Sequence, residues 1–382
     1  MKRAMDPSGP RDDSNRVVMT TSVTLRSRPA EAVAELVAEL GTDADLYAVF
    51  VTPGYDLDGL GPELRRWAGD RVVGCTSSGN IGPDGYEQSG VLAVALTGGG
   101  LRTRTIALSP MDDPTGAVER SDAELAGLRT LLDDGDGFAL LLVDGAGSAE
   151  DLLAAHLMAA LGDVPVIGGS AGDALTYDSM AVYHDGRFSA KIATVTMVRL
   201  NAPFRIFRLQ HHEPSESVLV ATDVDPRRRI VHAFNGRPAA QSYAETVELP
   251  ADQLDPTVFS QHPLILRAAG SDWVRSITAT DGAGALTLLA GVEAGDVLRV
   301  GRSVRPVQHL TECLAAIRAE LGGIGGVLAF DCVLRRLEFE ETGIAGAAGE
   351  ILADNAVAGF STYGEQFNGM HMNNTMVAVA FA

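Results

Sequence analysis

Cysteine, positive charge and long apolar runs are all scarce in this chain of 382 residues, and each scarcity excludes a class of protein. Three cysteines, Cys75, Cys313 and Cys332, are too few for a disulfide-rich scaffold, and their spacing matches no zinc-binding motif. No apolar run reaches the roughly 18 residues that a membrane-spanning helix needs. Basic residues number 30 against 50 acidic ones, so the net charge of −20 disfavours nucleic acid and anionic membrane surfaces as partners.

The start of the chain is polar and rich in Pro, Asp and Ser. Because it lacks the apolar stretch of a signal peptide, we expect a flexible tail over residues 1–16 and a cytoplasmic protein. A hydrophobic content of 46% in a chain of this length is enough for a large core and two domains.

One order of elements occurs three times: helix, strand, helix, strand, loop, strand. The first strand of each cycle and the strand that leads to its loop begin at similar separations, at Leu46 and Val72, Phe138 and Val164, and Val327 and Val357. Strand–helix–strand crossovers favour parallel pairing, so we predict an α/β fold with mixed sheets and three internal repeats. Residues 201–306 instead predict an antiparallel, β-rich middle segment. The predicted domains are residues 17–225 and 226–382.

Each cycle places glycine and hydroxyl residues at the end of a strand, over residues 74–80, 168–173 and 359–365. Such loops expose backbone N–H groups and hydroxyls with little bulk, which suits small polar or anionic ligands. Alternatively the glycines only permit tight turns, although three matched loops favour a shared site. The candidate ligand-binding residues are Cys75, Thr76, Ser77, Gly168, Gly169, Ser170, Gly172, Asp173, Tyr363, Gly364, Glu365, His371, Asn374 and Thr375.

Cys332 and Arg335 are further candidates, predicted to close the first strand of the third cycle. The arginine is expected to meet either a ligand carboxylate or a neighbouring glutamate.

Two residues are candidate nucleophiles. Ser170 lies in a G-x-S-x-G pattern, but the polar residues after it do not predict the helix that a nucleophile elbow requires. Cys75 occupies an equivalent loop and needs a nearby base to act. A hydrolase or transferase that uses one of them is therefore the alternative to a binding protein.

The histidines divide by position. His232 alternates with Ile230 and Phe234, so it is predicted to point inward, and His371 is the histidine that lies beside the third loop. An inward histidine can hold a metal or a haem iron, although no spacing requires it. Histidines 184, 211, 212 and 262 are predicted at turns and expected to be solvated.

The stretches GCTSSGNIGPDGY, VIGGSAGD, FDCVLRR, GFSTYGEQ and HMNNTMVAVAF together resemble the FIST sensory proteins, which have an N-terminal and a C-terminal FIST domain. The resemblance implies an intracellular signalling module that binds a small ligand and is not an enzyme. We expect that ligand among the three loops, in the cleft between the domains. Amino acids, or haem with nitric oxide in one subgroup, are the implied ligands, and His371 and His232 are the positions considered for the iron. It also implies output through a separate partner, a histidine kinase or a cyclic-di-GMP enzyme.

Overall fold

Three copies of one structural unit form most of the molecule. A computed structural model describes residues 16–145, 149–176, 178–268 and 270–382. The first repeat consists of β1 (Val17–Thr24), α1 (Pro29–Leu40), β2 (Leu46–Val51), α2 (Leu57–Ala68), β3 (Val72–Thr76), β4 (Asn80–Gly82), β5 (Gly85–Glu87) and β6 (Val91–Gly98). The second consists of β7 (Arg102–Leu108), α3 (Pro114–Arg120), α4 (Asp122–Arg129), β8 (Asp136–Val143), α5 (Glu150–Leu161), β9 (Val166–Ser170), β10 (Val182–His184), β11 (Arg187–Ser189) and β12 (Ala193–Leu200).

The third repeat is interrupted by an insertion. It opens with β13 (Phe204–Leu209). The insertion, here called the inserted sheet, contains β14 (His212–Asp225), β15 (Ile230–Phe234), β16 (Arg237–Pro238), α6 (Ala239–Thr246), α7 (Pro256–Gln261), β17 (Leu264–Ala268), β18 (Ser271–Arg275), β19 (Ile277–Thr280), β20 (Leu286–Leu288) and β21 (Val297–Ser303). The repeat resumes with α8 (Pro306–Leu321), β22 (Gly326–Cys332), α9 (Val333–Glu341), α10 (Ala345–Asp354), β23 (Val357–Thr362), β24 (Glu365–Phe367), β25 (Met370–Met372) and β26 (Met376–Phe381).

The short hairpin of each repeat joins the sheet of another repeat. β4 pairs with β23, β10 with β3, and β24 with β9. The three repeat sheets consequently share one strand order: β1-β6-β2-β3-β10-β11, β7-β12-β8-β9-β24-β25 and β13-β26-β22-β23-β4-β5. Since every sheet contains strands from two repeats, the repeats form one interlocked body.

The core lies between the inner faces of these three sheets. Its members come from all three repeats, as shown by the stacked rings of Phe50 and Phe360, whose centroids are 4.4 Å apart. Helices cover the outer faces, so a central strand such as β2 is buried along its whole length, as its continuous apolar run predicts. Among the described residues, no helix has both the length and the apolar character needed to cross a bilayer.

A glycine occupies the same place in the second parallel strand of each repeat. Gly74, Gly168 and Gly359 face a residue of the neighbouring strand so closely that an added Cβ would lie 2.1, 1.7 and 1.8 Å from its carbonyl oxygen. A side chain is therefore excluded at these positions by the approach of two backbones.

The structure confirms the three repeats, the mixed sheets and the antiparallel middle segment. It corrects the predicted loops, because Gly168 to Ser170 belong to β9 and Gly359 to Thr362 belong to β23. It also corrects Arg335, which lies in α9 rather than at a strand end. This helix was missed because its buried side carries charged residues, so the sequence shows no apolar periodicity there.

Two smaller predictions have other outcomes. The sequence predicts a helix over residues 149–161 with the Ser148 hydroxyl as its N-cap. Ser148 lies outside the described residues, and α5 begins at Glu150. The domain boundary predicted after residue 225 falls in the turn between β14 and β15, which pair with each other. That boundary stays a prediction.

Candidate functional site

A closed ring of backbone hydrogen bonds joins the repeats where β3, β9 and β23 end. The N–H groups of Gly172, Tyr363 and Ser78 donate to the carbonyls of Thr76, Ser170 and Ser361 over 3.0, 3.2 and 3.0 Å, respectively. Each donor comes from the repeat after that of its acceptor, so the ring closes on itself. We call this ring and the side chains of residues 361–375 packed against it the junction. The three predicted loops do meet, as the sequence predicted.

The ring carries three equivalent hydroxyl residues, two positions after the close-packed glycines. The hydroxyl of Thr76 accepts from the N–H of Ala181 at 3.0 Å, and that of Ser170 accepts from Nε2 of Gln366 at 3.0 Å. The Ser361 hydroxyl is buried and has no hydrogen-bond partner among the described residues. The pseudo-symmetry of the backbone is therefore broken by side chains at the third position.

His371 is held at the junction through both of its ring nitrogens. Nε2 lies 3.2 Å from the carbonyl oxygen of Leu289 and therefore carries the proton, and Nδ1 accepts from Nε2 of Gln366 at 3.2 Å. Burial lowers the pKa of His371, which favours the neutral ring. Both nitrogens are thus engaged.

His232 is exposed, which corrects the prediction that it points inward. On β15 the buried residues are Val231 and Phe234, so the strand does not keep the strict alternation on which the prediction relied. Since His371 has no free nitrogen and His232 faces solvent on the inserted sheet, these two residues do not fit a haem iron.

Asp173 and Tyr363 tie the second repeat to the third. The Tyr363 hydroxyl donates to Oδ1 of Asp173 and accepts from the N–H of Leu175 at 2.5 Å. Asp173 also accepts from the N–H groups of Asp178 and Ser179 at 2.8 and 2.9 Å. Partial burial alone would raise the pKa of Asp173, but these donors outweigh it and hold the pKa below its ordinary value. Burial, together with the bond to Asp173, raises the pKa of Tyr363.

Glu365 is fully buried between two threonines. The Thr362 hydroxyl donates to Oε1, and the Thr375 hydroxyl donates to Oε2 at 2.7 Å. Burial outweighs these donors and raises the pKa of Glu365 to about 8. This carboxyl group is therefore largely protonated at neutral pH.

The cysteines and Ser77 are enclosed by protein. Burial raises the pKa of the Cys75 and Cys332 thiols well above the ordinary value. The hydroxyl of Ser77 donates to Oδ1 of Asn80 at 2.9 Å.

Two glycines of the junction have no room for a side chain. A Cβ on Gly172 would lie 2.3 Å from the Ser78 hydroxyl, and one on Gly364 would lie 2.2 Å from the His371 ring.

Arg335 is fully buried, and its Nη1 donates to Oδ1 of Asp331 at 2.7 Å. The same carboxylate accepts from the Tyr86 hydroxyl at 2.7 Å. The neighbouring carboxylate is therefore an aspartate and not the glutamate considered, while Nε and Nη2 of Arg335 have no hydrogen-bond partner among the described residues. A contact of Arg335 with a ligand carboxylate stays a prediction.

Four buried polar atoms in and beside the junction lack a hydrogen-bond partner in the part of the chain that the structure describes: Ser361 Oγ, Gln366 Oε1, Asn374 Oδ1 and Ser276 Oγ. A buried polar group left unpaired costs about 1–3 kcal/mol. Asn374 also reaches the inserted sheet, because its Nδ2 donates to the carbonyl of Ser260 at 3.3 Å. The junction thus has hydrogen-bonding atoms next to the inserted sheet that no described residue satisfies.

Buried charges connect the inserted sheet to the junction. Arg229 donates to Glu150 at 2.7 Å and to Asp151 at 2.8 Å, at the start of α5. Arg275 donates to the carbonyl of His371 at 3.2 Å. These contacts make the position of the inserted sheet dependent on the junction.

Several residues of the site were not predicted from sequence. Gln366 and Asp331 lie within the motifs GFSTYGEQ and FDCVLRR, and their place in those motifs is the sequence signal for them. His211 and His212, expected to be solvated, are buried beside Glu338, and the ligand-type atoms of the three lie within 4.8 Å of one another. No sequence spacing indicated that group.

The chain belongs to the FIST family. The family model described as the FIST N domain matches residues 45–237, and that described as the FIST C domain matches residues 239–368. FIST domains are sensory domains that bind small ligands. The junction lies between the two matched regions, with Thr76 and Ser170 in the first and Ser361 and Tyr363 in the second.

Comparison with curated proteins gave no match. Among solved structures, the chain is similar to cyanuric acid hydrolase from A. caulinodans, with 13% identity, 95% of this chain and 99% of that chain covered, and a TM-score of 0.37. A likeness at that level supports no inference about this chain.

Proposed function

We propose that this protein is a sensor, and not an enzyme, that binds a small amino-acid-like molecule at the junction of its FIST N and FIST C regions. The observation that carries the proposal is the set of buried polar atoms at the junction that find no hydrogen-bond partner within the described ranges of the chain. Gln366 Oε1 and Asn374 Oδ1 are acceptors only, so they call for N–H donors such as an ammonium or amide group. The Ser361 hydroxyl can in addition donate to a carboxylate.

A ligand there would act on the relative positions of the repeats. Each repeat donates one bond of the backbone ring and one hairpin to another repeat, so a change at one strand end is transmitted to the others. Binding shifts the arrangement only if the ligand prefers one arrangement over the other. The output passes to a separate partner, a histidine kinase or a cyclic-di-GMP enzyme, as membership of this sensory family suggests.

Binding is favoured over catalysis by the surroundings of the two candidate nucleophiles. Burial keeps Cys75 in its thiol form. The Ser170 hydroxyl is bonded by the Gln366 amide, and His371 meets that amide rather than the hydroxyl. A fluorophosphonate probe and iodoacetamide should therefore leave both residues unlabelled in the folded protein. Stoichiometric labelling of either one would support the hydrolase or transferase alternative.

Haem is the other ligand that the family resemblance implies, and the histidines considered for it do not support it. We expect haemin titration to give no saturable Soret band that shifts with nitric oxide. A band that His371→Ala abolishes would overturn this expectation.

Calorimetric titration tests the main proposal, after a thermal-shift screen of amino acids, amines and small carboxylates has identified a ligand. Gln366→Met and Asn374→Leu each remove one acceptor, and each should weaken binding about tenfold, the equivalent of about 1.4 kcal/mol. Gln308→Met, on the exposed face of α8, is the matched control and should bind as the wild type does. Unchanged affinity in both junction variants would refute the proposed site.

A further inference from the structure

His211, His212 and Glu338 form a compact buried cluster away from the junction. Nε2 of His211 lies 2.8 Å from Oε2 of Glu338, and Nε2 of His212 lies 3.4 Å from the same oxygen. The centroids of the two imidazole rings are 4.3 Å apart, and their planes are inclined by 38°. The three side chains are at most 1% exposed.

This convergence is unusual for adjacent residues. Successive side chains of an extended strand point to opposite faces, yet both imidazoles meet one carboxylate. His211 lies in the two-residue connection between β13, which ends at Leu209, and β14, which begins at His212 and belongs to a different sheet. The local backbone is therefore arranged to bring two imidazoles to the same point.

The hydrogen bonding of the cluster is incomplete. Nδ1 of His211 and both ring nitrogens of His212 are buried without a hydrogen-bond partner among the described residues. An unprotonated imidazole nitrogen is the atom that coordinates a metal ion, so the cluster offers buried ligand atoms with no competing hydrogen bond in the described part of the chain.

We propose that His211, His212 and Glu338 bind one divalent transition-metal ion of the Zn²⁺ class. Two imidazole nitrogens with one carboxylate oxygen are a ligand set found in zinc sites with three protein ligands. The observed separations of the ligand atoms suit a single ion. An anion is disfavoured here because the Glu338 carboxylate would face it.

The surroundings of the cluster are consistent with a bound cation. Arg335 is the neighbouring cation, one turn earlier on α9, and its charge is balanced by the ion pair with Asp331 at 2.7 Å. The site is therefore not dominated by uncompensated positive charge.

The location of the cluster suggests what the ion would do. The chain leaves the third repeat at His211 and returns beside it, since His212 pairs with Ser303 and the N–H of Val304 donates to the carbonyl of His211 at 2.9 Å. We call this place the root of the inserted sheet. An ion there would link both crossings to α9 and so fix the inserted sheet to the third repeat.

Titration of the full-length, chelator-treated protein with Co²⁺ alone tests the proposal. One equivalent should give the ligand-field absorption of a site with nitrogen and oxygen ligands, and Zn²⁺ should displace it. His212→Asn and Glu338→Gln should each weaken binding more than about 100-fold. The matched controls are His232→Asn on the exposed face of β15 and Glu341→Gln on the exposed end of α9, which should bind as the wild type does.

Two results would overturn the assignment even if a ligand variant failed to fold. One is wild-type protein that shows no saturable Co²⁺ spectrum. The other is X-ray absorption of the Zn²⁺-loaded wild type that shows sulfur ligands or fewer than two imidazoles. Equal Co²⁺ affinity in the folded ligand variants and their controls would also refute it.

Discussion

The junction and the root of the inserted sheet are both buried and polar, but they pair their polar groups differently. At the junction, charged and hydroxyl groups mostly bond one another across repeats, as Asp173 does with Tyr363 and Glu365 with Thr375. At the root, two adjacent imidazoles share one carboxylate, and three ring nitrogens have no hydrogen-bond partner among the described residues. In the first region most polar groups bond one another and single acceptors or hydroxyls are left over, whereas in the second most of the ring nitrogens are left over.

The largest expected loss of stability comes from disturbing the close-packed backbone at the junction. Gly168→Ala would place a Cβ 1.7 Å from the carbonyl oxygen of Leu141, within the parallel pair that delivers the ring. We expect a loss of about 4 kcal/mol in the free energy of unfolding, because only backbone movement can relieve the clash. Urea denaturation measures it. Gly282→Ala is the control, since nothing lies within 4 Å of its added Cβ. Similar stability of the two variants would show that the strands can separate at no great cost.

These glycines also show what could be predicted from sequence. The apolar strands, the helical spacing and the glycine and hydroxyl residues at matched offsets predicted the repeats and the meeting of their loops. The exchange of hairpins was not predictable, because strands of three residues such as β4 and β24 carry no periodicity. Their partner strands are fixed only by the closed arrangement of all three sheets.

The root could not be predicted at all. His211 and Glu338 are 127 residues apart in sequence. The buried face of α9 carries charged residues, so its sequence does not indicate which of them are buried. The pair His211 and His212 follows a predicted strand, a position typical of solvated turn residues. Only tertiary packing brings the two elements together, so sequence spacing contains no trace of the cluster.

The next largest effect is the pH dependence of stability that the buried Glu365 of the junction should cause. The pKa of Glu365 is about 8 in the folded chain against an ordinary value of 4.5. The folded state therefore binds more protons than the unfolded state between these values, so stability falls as the pH rises through this window and levels off above about 8. By this linkage the free energy of unfolding should fall by about 2.5 kcal/mol between about pH 5 and about pH 7.

Urea denaturation across that window checks the sign. Glu365→Gln, which is neutral at every pH, should flatten the decline, whereas Glu341→Gln at the exposed end of α9 should retain it. If the wild type became more stable between the two pKa values, Glu365 would have to be ionised and compensated in the fold.

A smaller effect is expected for the tie between the second and third repeats. Tyr363→Phe removes the buried donor to Asp173 and the acceptor for the part-buried N–H of Leu175. We expect a loss of about 2 kcal/mol, mainly because the buried Asp173 carboxylate loses a donor. Tyr55→Phe is the control, because the hydroxyl it removes contacts only the carbonyl of Thr24 at 3.3 Å in a half-exposed setting. Equal midpoints in urea for the two variants would mean that solvent replaces the Tyr363 hydroxyl.

The smallest effect gives the sharpest comparison, because it is made between equivalent positions of the junction. Ser170 and Ser361 follow the close-packed glycines at the same offset and contribute equivalent carbonyls to the ring. The Ser170 hydroxyl is bonded by Gln366 at 3.0 Å, while the Ser361 hydroxyl is unpaired among the described residues. Ser170→Ala should therefore cost about 1 kcal/mol, and Ser361→Ala should leave the free energy of unfolding within about 0.5 kcal/mol or raise it slightly.

The difference in stability between Ser170→Ala and Ser361→Ala tests whether the Ser361 hydroxyl serves the fold or the proposed ligand. An unpaired hydroxyl whose removal does not harm the free protein is not retained for stability, and the proposed ligand gives it a reason to be there. Denaturation without ligand and with a saturating ligand should separate the two roles, because Ser361→Ala would then lose part of the ligand-induced stabilisation that the wild type gains. If Ser361→Ala instead destabilised the free protein as much as Ser170→Ala does, its hydroxyl would have a partner within the fold. The third position of the ring would then match the other two.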